Sequence, residues 1–305
     1  MLKYISKRII YLIPVLIGIV FLVFTIMYFS PGDPAKLILC DRAPEEQVAA
    51  LRHELGLDLP YYQQLFNYIK NAIHGDFGNS YQLRMPVWDI IKLRFPLTLQ
   101  LTTFTMLIAV LIGVPVGILS AVKQYSVIDA FSVIFALLMA SIPAFWLGML
   151  LMLLFSLNLG WLPSSGYEGV KWLILPSITL GFINCATIMR MTRSSMLEVV
   201  RQDFIRTARA KGATEKRVVF RHALKNAIIP VITVVGTAFG SSLGGAVVTE
   251  TVFGLPGMGT QIITAIRQKD NPVVLASVIV IALAFSLVNL IVDILYTYVD
   301  PRIRD

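Results

Sequence analysis

The run Arg206-Thr207-Ala208-Arg209-Ala210-Lys211-Gly212 has the residue types and spacing that can do chemistry, and that chemistry is charge-assisted contact, not bond making. It lies in a basic stretch. Ten Lys or Arg (190, 193, 201, 206, 209, 211, 216, 217, 221 and 225) stand there against three acids, Glu198, Asp203 and Glu215. The residues needed for covalent or metal chemistry are missing from the pattern. His53, His74 and His222 have no metal-ligand spacing, and neither His-Glu-x-x-His nor Gly-x-Ser-x-Gly occurs. Gly-x4-Gly-Lys-[Ser/Thr] is absent too, so the chain carries no nucleotide cradle of that type. Cys40 and Cys185 make no disulfide framework. No cofactor or metal is expected.

The basic stretch must be held by short helices. Val200, Phe204 and Ala208 stand four apart, an apolar stripe for one helix face. Gly212 sits where a glycine in the left-handed region ends a helix. Thr214 is placed to cap the next helix, but Arg217 stands where a capping box wants Glu or Gln, so the cap is weak. Val219 and Ala223 continue the stripe, and Pro230 marks the start of the next apolar run. Spacing alone leaves two readings open. One is an amphipathic hairpin on anionic lipid, where each Lys or Arg adds about 1 kcal/mol; the other is a docking surface for a cytosolic protein.

The elements around the stretch are apolar. Hydrophobic residues make up 56% of the chain and charged ones 14%, with mean hydropathy +0.75. Soluble domains carry roughly 25% charged residues, so an all-α polytopic membrane protein is expected. Runs long enough to span lie at 9–29, 97–122, 133–157, 173–189, 227–248 and 274–296, the fourth short enough to run on helically into the basic stretch. The first, behind Lys3, Lys7 and Arg8, is too long for a signal peptide and lacks a cleavage pattern. Six spans put both termini on one side. Lys123, the 190–225 stretch, Arg302 and Arg304 share that side, which the positive-inside rule makes the cytoplasm. The net charge of +8 follows from the same rule, and nucleic acid is not an expected partner.

Three connections fall outside: 30–96, 158–172 and 249–273. The first opens on Pro31-Gly32-Asp33-Pro34 and holds two amphipathic stretches, Glu45 onward and Tyr61 onward, so an external helical cap follows the first span. The third is apolar enough to dip into the membrane. The domains expected are an N-terminal span (1–29), the extracytoplasmic helical segment (30–96), a membrane-spanning body (97–298) with the basic loop at 190–226, and a tail (299–305). Asn184, Glu250, Asn289 and Asp293 lie in or at spans, where polar groups are costly and mark function. Interfacial placement suits Glu250 and Asp293; as residues of a translocation pathway, Asn184 and Glu250 are the candidates.

The basic loop resembles the cytoplasmic loop of ABC importer permeases, whose pattern is Glu-Ala-Ala-x3-Gly-x9-Ile-x-Leu-Pro. Ala208, Gly212 and Leu224 match it. Its departures, Arg-Thr-Ala-Arg-Ala-Lys-Gly and His222-Ala223-Leu224-Lys225-Asn226-Ala227, look like the dipeptide, oligopeptide, glutathione and nickel branch. Further matches to that branch are Pro31-Gly32-Asp33-Pro34, Glu54-Leu55-Gly56-Leu57-Asp58, Met191-Thr192-Arg193-Ser194-Ser195, Thr249-Glu250-Thr251-Val252-Phe253 and Asp300-Pro301-Arg302-Ile303-Arg304. The resemblance covers essentially the whole chain. It implies a type I importer permease fold and a pore-forming subunit of the cell membrane, not an enzyme. A second permease, two cytosolic ATPases and an extracytoplasmic binding protein would complete it. Arg206, Thr207, Ala208, Arg209, Ala210, Lys211, Gly212 and Glu215 would couple to an ATPase. Di- or oligopeptides are the cargo implied, with glutathione or nickel as alternatives in the branch. An ion-coupled secondary transporter is the reading from another class.

Overall fold

The computed structural model describes residues 2–39 and 43–299, with side chains described for 10–39 and 43–294. Cys40, Arg42, the 300–304 motif and the side chains of Lys3, Lys7 and Arg8 lie outside the described residues. The described residues are mostly helical, with one isolated bridge, between Asn79 and Pro86, as the only extended pairing among them. Five helices are long and apolar enough to cross a membrane, and a bent pair brings the number to six. The chain divides into two compact units, Met1–Thr98 with Pro256–Ser286 and Leu99–Leu255 with Leu287–Asp305.

In the first unit, α1 (Leu2–Phe29) is followed by three short helices, α2 (Pro34–Leu39), α3 (Glu45–Glu54) and α4 (Tyr61–Ile73). These form the helical segment expected after the first span. Arg52 of α3 donates from Nε to Asp33 Oδ2 at 2.8 Å, holding the turn ahead of α2. The Tyr61 ring of α4 meets Phe24 at 5.5 Å and Tyr28 at 5.1 Å, and its hydroxyl is 2.7 Å from that of Thr25. The next helix, α5 (Val87–Val122), starts ten residues before the apolar run at 97, so it includes Asp89, Lys92 and Arg94. Its first turns pack through Val87, Ile90 and Ile91 against Met258 and Val274.

The second unit takes the remainder of α5. The run expected as one span at 133–157 is instead α6 (Val127–Ser141) and α7 (Ala144–Met152), bent by 103° and ending in a π-helical turn at Leu153–Asn158. Pro143 is the cause. It has no N–H to donate and forces Ile142 out of the helical region, to φ −86°, ψ 126°. Helix α8 (Ile174–Val200) runs past the apolar limit at 189 into the basic stretch, as its length requires. Then come α9 (Asp203–Ala210), α10 (Glu215–Arg217), a π turn at Val218–Ala223 and α11 (Leu224–Gly245), continuous from Glu215. Pro230 therefore lies inside a helix and does not open one. Helix α12 (Val247–Val252) closes this unit's run. Helix α13 (Met258–Arg267) belongs to the first unit, and α14 (Asn271–Val299) contributes to both.

Helices α5 and α8 cross at small residues. A Cβ on Gly113 would sit 3.0 Å from the Cys185 carbonyl oxygen, and one on Gly117 would sit 2.7 Å from that of Met189. Such Gly-x3-Gly spacing lets two backbones approach in lipid, where no hydrophobic force drives helices together. The hydroxyls of Thr179 and Thr192 donate to carbonyls four residues back, at 2.8 Å each, so they lie buried without unmet bonds.

Candidate functional site

The basic hairpin is built around a helix stop. The N–H of Gly212 donates to Arg209 O at 2.9 Å and that of Ala213 to Ala208 O at 3.2 Å, the paired bonds of a Schellman motif. The motif needs a left-handed residue, and Gly212 has φ +80°. Thr214 starts the next helix with no side-chain cap bond, the weak cap that Arg217 foretells. The stop is braced from outside. Arg209 Nε reaches Glu215 Oε1 at 2.7 Å and its Nη2 reaches Oε2 at 3.2 Å, a two-pronged bridge across the turn. That bond holds the Arg209 guanidinium above its ordinary pKa.

One expectation about the hairpin's inner face is corrected. Phe204 does not anchor it, being 44% exposed, whereas Ile205 is fully buried with Met196, Val218, Ala223 and Ala227. The stripe from Val200 assumed one helix, but α8 stops at Val200 and Gln202 is extended at ψ 151°. The turn shifts the phase, so the buried face of α9 passes through Ile205 and Ala208. Arg206, Thr207, Arg209, Ala210, Lys211, Gly212 and Glu215 are exposed, and Ala208 is half-buried. Beside them lies a groove of about 450 Å³ lined by Phe204, Ala208, Lys211, Arg217 and His222. The result is a stiff, cationic protrusion with two exposed aromatic rings, Phe204 and Phe220.

A Gly212→Val variant is expected to loosen this element. Nothing lies within 4 Å of an added Cβ, so the cost is backbone strain alone, about 1–2 kcal/mol. Amides of 203–218 should exchange about ten times faster in the variant, measured by hydrogen exchange on the full chain. Unchanged rates would show that Gly212 is not what stiffens the hairpin.

Beneath the hairpin lies an ion pair that sequence reasoning missed. Asp129, on the first turn of α6, takes Arg193 Nε at 2.6 Å and Nη2 at 2.9 Å. It also accepts from Ser120 Oγ at 2.5 Å and Tyr125 N at 2.9 Å. One carboxylate thus ties the end of α5, the turn after it, the start of α6 and the last third of α8. The available signal was an acid three residues after Ser126, the mark of a helix start, together with an arginine at the end of an apolar run.

The two candidate pathway residues lie on different helices, Asn184 on α8 and Glu250 on α12. Asn184 is half-buried and donates from Nδ2 to Leu180 O at 3.1 Å and Ser242 Oγ at 3.3 Å, joining α8 to α11. Glu250 on α12 is fully enclosed by protein.

Comparison with known proteins bears on what such a helix bundle with a basic hairpin is. Residues 113–305 match the family model described as the binding-protein-dependent transport system inner membrane component, and residues 1–102 match that family's N-terminal model. The chain belongs to this family. Among its relatives, the dipeptide transport system permease protein DppB of Alkalihalophilus pseudofirmus is 44% identical over 332 aligned positions, covering 100% of both chains. The glutathione transport system permease protein GsiC of Escherichia coli K12 is 45% identical over 304, covering 100% of this chain and 99% of that one. In fold, the permease is similar to the MetNI methionine ABC transporter in inward-facing conformations. The TM-score is 0.57 at 19% identity, over 69% of this chain and 96% of that one. An amino acid ABC transporter solved with histidines gives 0.54 at 18% identity, over 67% and 94%. The permease is thus a multi-pass membrane subunit of a transport system, with the helical fold of importer permeases.

Proposed function

We propose that this permease forms half of the translocation pathway of an ATP-driven importer of short peptides. The observation that carries the reading is full-length similarity of 44–45% to permeases named for a dipeptide and for glutathione. Glutathione is itself a tripeptide, so both cargoes present amide and terminal charges to the pathway. The glutathione reading is favoured specifically by the GsiC relatives and is the second one we carry.

The remaining parts follow from chemistry. The chain has no Gly-x4-Gly-Lys-[Ser/Thr], so two cytosolic ATPases supply the nucleotide step. A second permease completes the pathway, and an extracytoplasmic binding protein delivers the cargo. Both termini and the hairpin face the cytoplasm by the distribution of Lys and Arg. The domain order is the first span (1–29), an extracytoplasmic segment (30–96), the transport body (97–298) and a tail (299–305). Arg206, Arg209, Lys211 and Gly212 form the contact with an ATPase, and Phe204 supplies an aromatic anchor beside them. ATP binding acts by stabilising one accessibility state over the other, which requires a contact stiff enough to differ between the two.

Capture of the ATPase subunits by the purified permease tests this reading. Wild type is expected to retain them. The triple variant Arg206→Ala, Arg209→Ala, Gly212→Val should retain under about a tenth, because two exposed cations and the stop are lost together. Equal capture by the triple variant would remove the hairpin from the interface. Vanadate should stop uptake of labelled alanyl-alanine into vesicles holding the whole transporter. Uptake that ignores vanadate but follows an ion gradient would replace the importer reading with the secondary-transporter one.

A further inference from the structure

Helix α4 carries an apolar strip that the first unit leaves uncovered. Tyr62, Phe66 and Ile73 are 66%, 66% and 77% exposed, and Ile69 between them is half-buried. Spaced at i, i+4, i+7 and i+11, the four fall within about 60° of arc at 3.6 residues per turn. Tyr61, Leu65 and Tyr68, all half-buried, make the neighbouring strip that packs inward. The far side is polar, with Gln64, Asn67 and Asn71 lining a hollow. A helix with two apolar strips, one packed and one uncovered, needs an apolar surface beyond its own fold.

Depth says which surface that is. The apolar run of α1 from Ile10 to Phe29 is 20 residues, about 30 Å at 1.5 Å per residue, the thickness of a bilayer's hydrocarbon. Polar contacts begin directly beyond it, where Lys269 Nζ donates to Ser30 Oγ and Arg52 donates to Asp33. Phe29 therefore marks the boundary. The Tyr61 ring, first in α4, lies 6.2 Å from Phe29, 5.1 Å from Tyr28 and 5.5 Å from Phe24. Phe24 is about 7–8 Å inside that boundary by helix rise. Interfacial helices sink their apolar face to about 5–10 Å. The second half of α4 stands beside another span's end, since Asn67 and Asn71 line the same hollow as Asn271 and Pro272, the first residues of the apolar run in α14. The uncovered strip also continues an exposed apolar surface of α1, because Phe29, 74% exposed, stacks on Tyr61 next to Tyr62.

We propose that α4 is an interfacial helix, its Tyr62, Phe66 and Ile73 strip seated in the headgroup–acyl boundary of the lipid bilayer. Tyrosine suits that level, its ring in the apolar layer and its hydroxyl in the wet one. Lys70, exposed beside the strip, lays its stem along the apolar surface and its ammonium among lipid phosphates. The partner is lipid, and the effect is to pin the segment after the first span at a fixed height on the bilayer. This holds for any cargo and goes beyond the importer reading.

Tryptophan fluorescence in nanodiscs tests it. Phe66→Trp places an indole on the strip at an exposed position, and wild type, with its four tryptophans, gives the background. Lipids brominated near the headgroup end of their tails should quench the added emission by about half or more, while aqueous iodide should leave it nearly unchanged. The measurement is made on the chain alone and on the chain with the subunits that co-purify with it, and the same quenching is expected in both. An indole that bromine fails to quench in either preparation overturns the proposal. Iodide quenching would then put the strip in water, and bromine quenching lost only with the subunits present would put it under a protein. A second measurement needs no indole. The triple variant Tyr62→Ser, Phe66→Ser, Ile73→Ser should exchange the amides of 61–73 about tenfold faster in nanodiscs, whereas Gln63→Ala, off the strip, should match wild type. Wild-type exchange in the triple variant would equally overturn the lipid contact.

Discussion

Replacing Gly117 with leucine is expected to lower stability by about 3 kcal/mol and to abolish uptake, although the substitution improves helix propensity. Propensity and packing oppose each other here, and magnitudes decide. Moving from glycine to a good helix former gains about 1 kcal/mol in a helix interior. Against that, even the first added carbon meets the Met189 carbonyl oxygen and Thr192 Cβ at 2.7 Å, and a backbone atom cannot rotate away. The two helices must separate, loosening Met106, Ala109, Cys185 and Ile188, which pack in the same region. Gly117→Ala should share the sign with a smaller size. Gly18, with nothing within 4 Å of an added Cβ, is the control, since its alanine variant meets no obstacle. Thermal unfolding of the full chain in detergent measures all three. A Gly117→Leu protein as stable as wild type would mean that the α5–α8 crossing is not close-packed.

Arg193→Ala is expected to be comparably damaging, for an electrostatic reason. Removing one partner of a buried ion pair strands the other, at about 3–5 kcal/mol. Arg193 keeps a quarter of its side chain exposed while Asp129 keeps 6%, so the lower end, about 3 kcal/mol, applies. Stranded, Asp129 retains only the Ser120 and Tyr125 donors. The double variant Asp129→Asn, Arg193→Gln removes both charges and should recover most of the loss. Unfolding temperatures of wild type, Asp129→Asn, Arg193→Gln and the double variant form the cycle that measures the coupling. A coupling near zero would place this pair with exposed surface bridges, which contribute about 0–1 kcal/mol. Because the pair ties α6 to the helix that leads into the hairpin, uptake should fall with stability in the single variant and return in the double.

Several elements are legible from local rules. Gly212 is a helix stop because one residue needs the left-handed region, and glycine enters it without strain. The helical segment after the first span follows from apolar spacing within α3 and α4. The bend at Pro143 was equally local, yet an unbroken apolar run from 133 to 157 masks it, since hydropathy counts residues and ignores the missing N–H. Phe204 and Ile205 mark the limit of periodicity. A two-residue turn at 201–202 resets the phase of a stripe, and spacing carries no record of where a helix has paused.

Composition and pattern by themselves determined that this chain spans a membrane several times, carries a helical segment after its first span and presents a basic, glycine-stopped hairpin. Each of these depends on neighbours within a few turns of helix. Tertiary structure alone decided the rest: Asp129 meeting Arg193 from 64 residues away, Gly117 lying against α8, and Glu250 enclosed by protein. The reason is that burial of a charge or a polar atom is a property of what surrounds it. Those surroundings are assembled from distant segments, and only the folded chain brings them together.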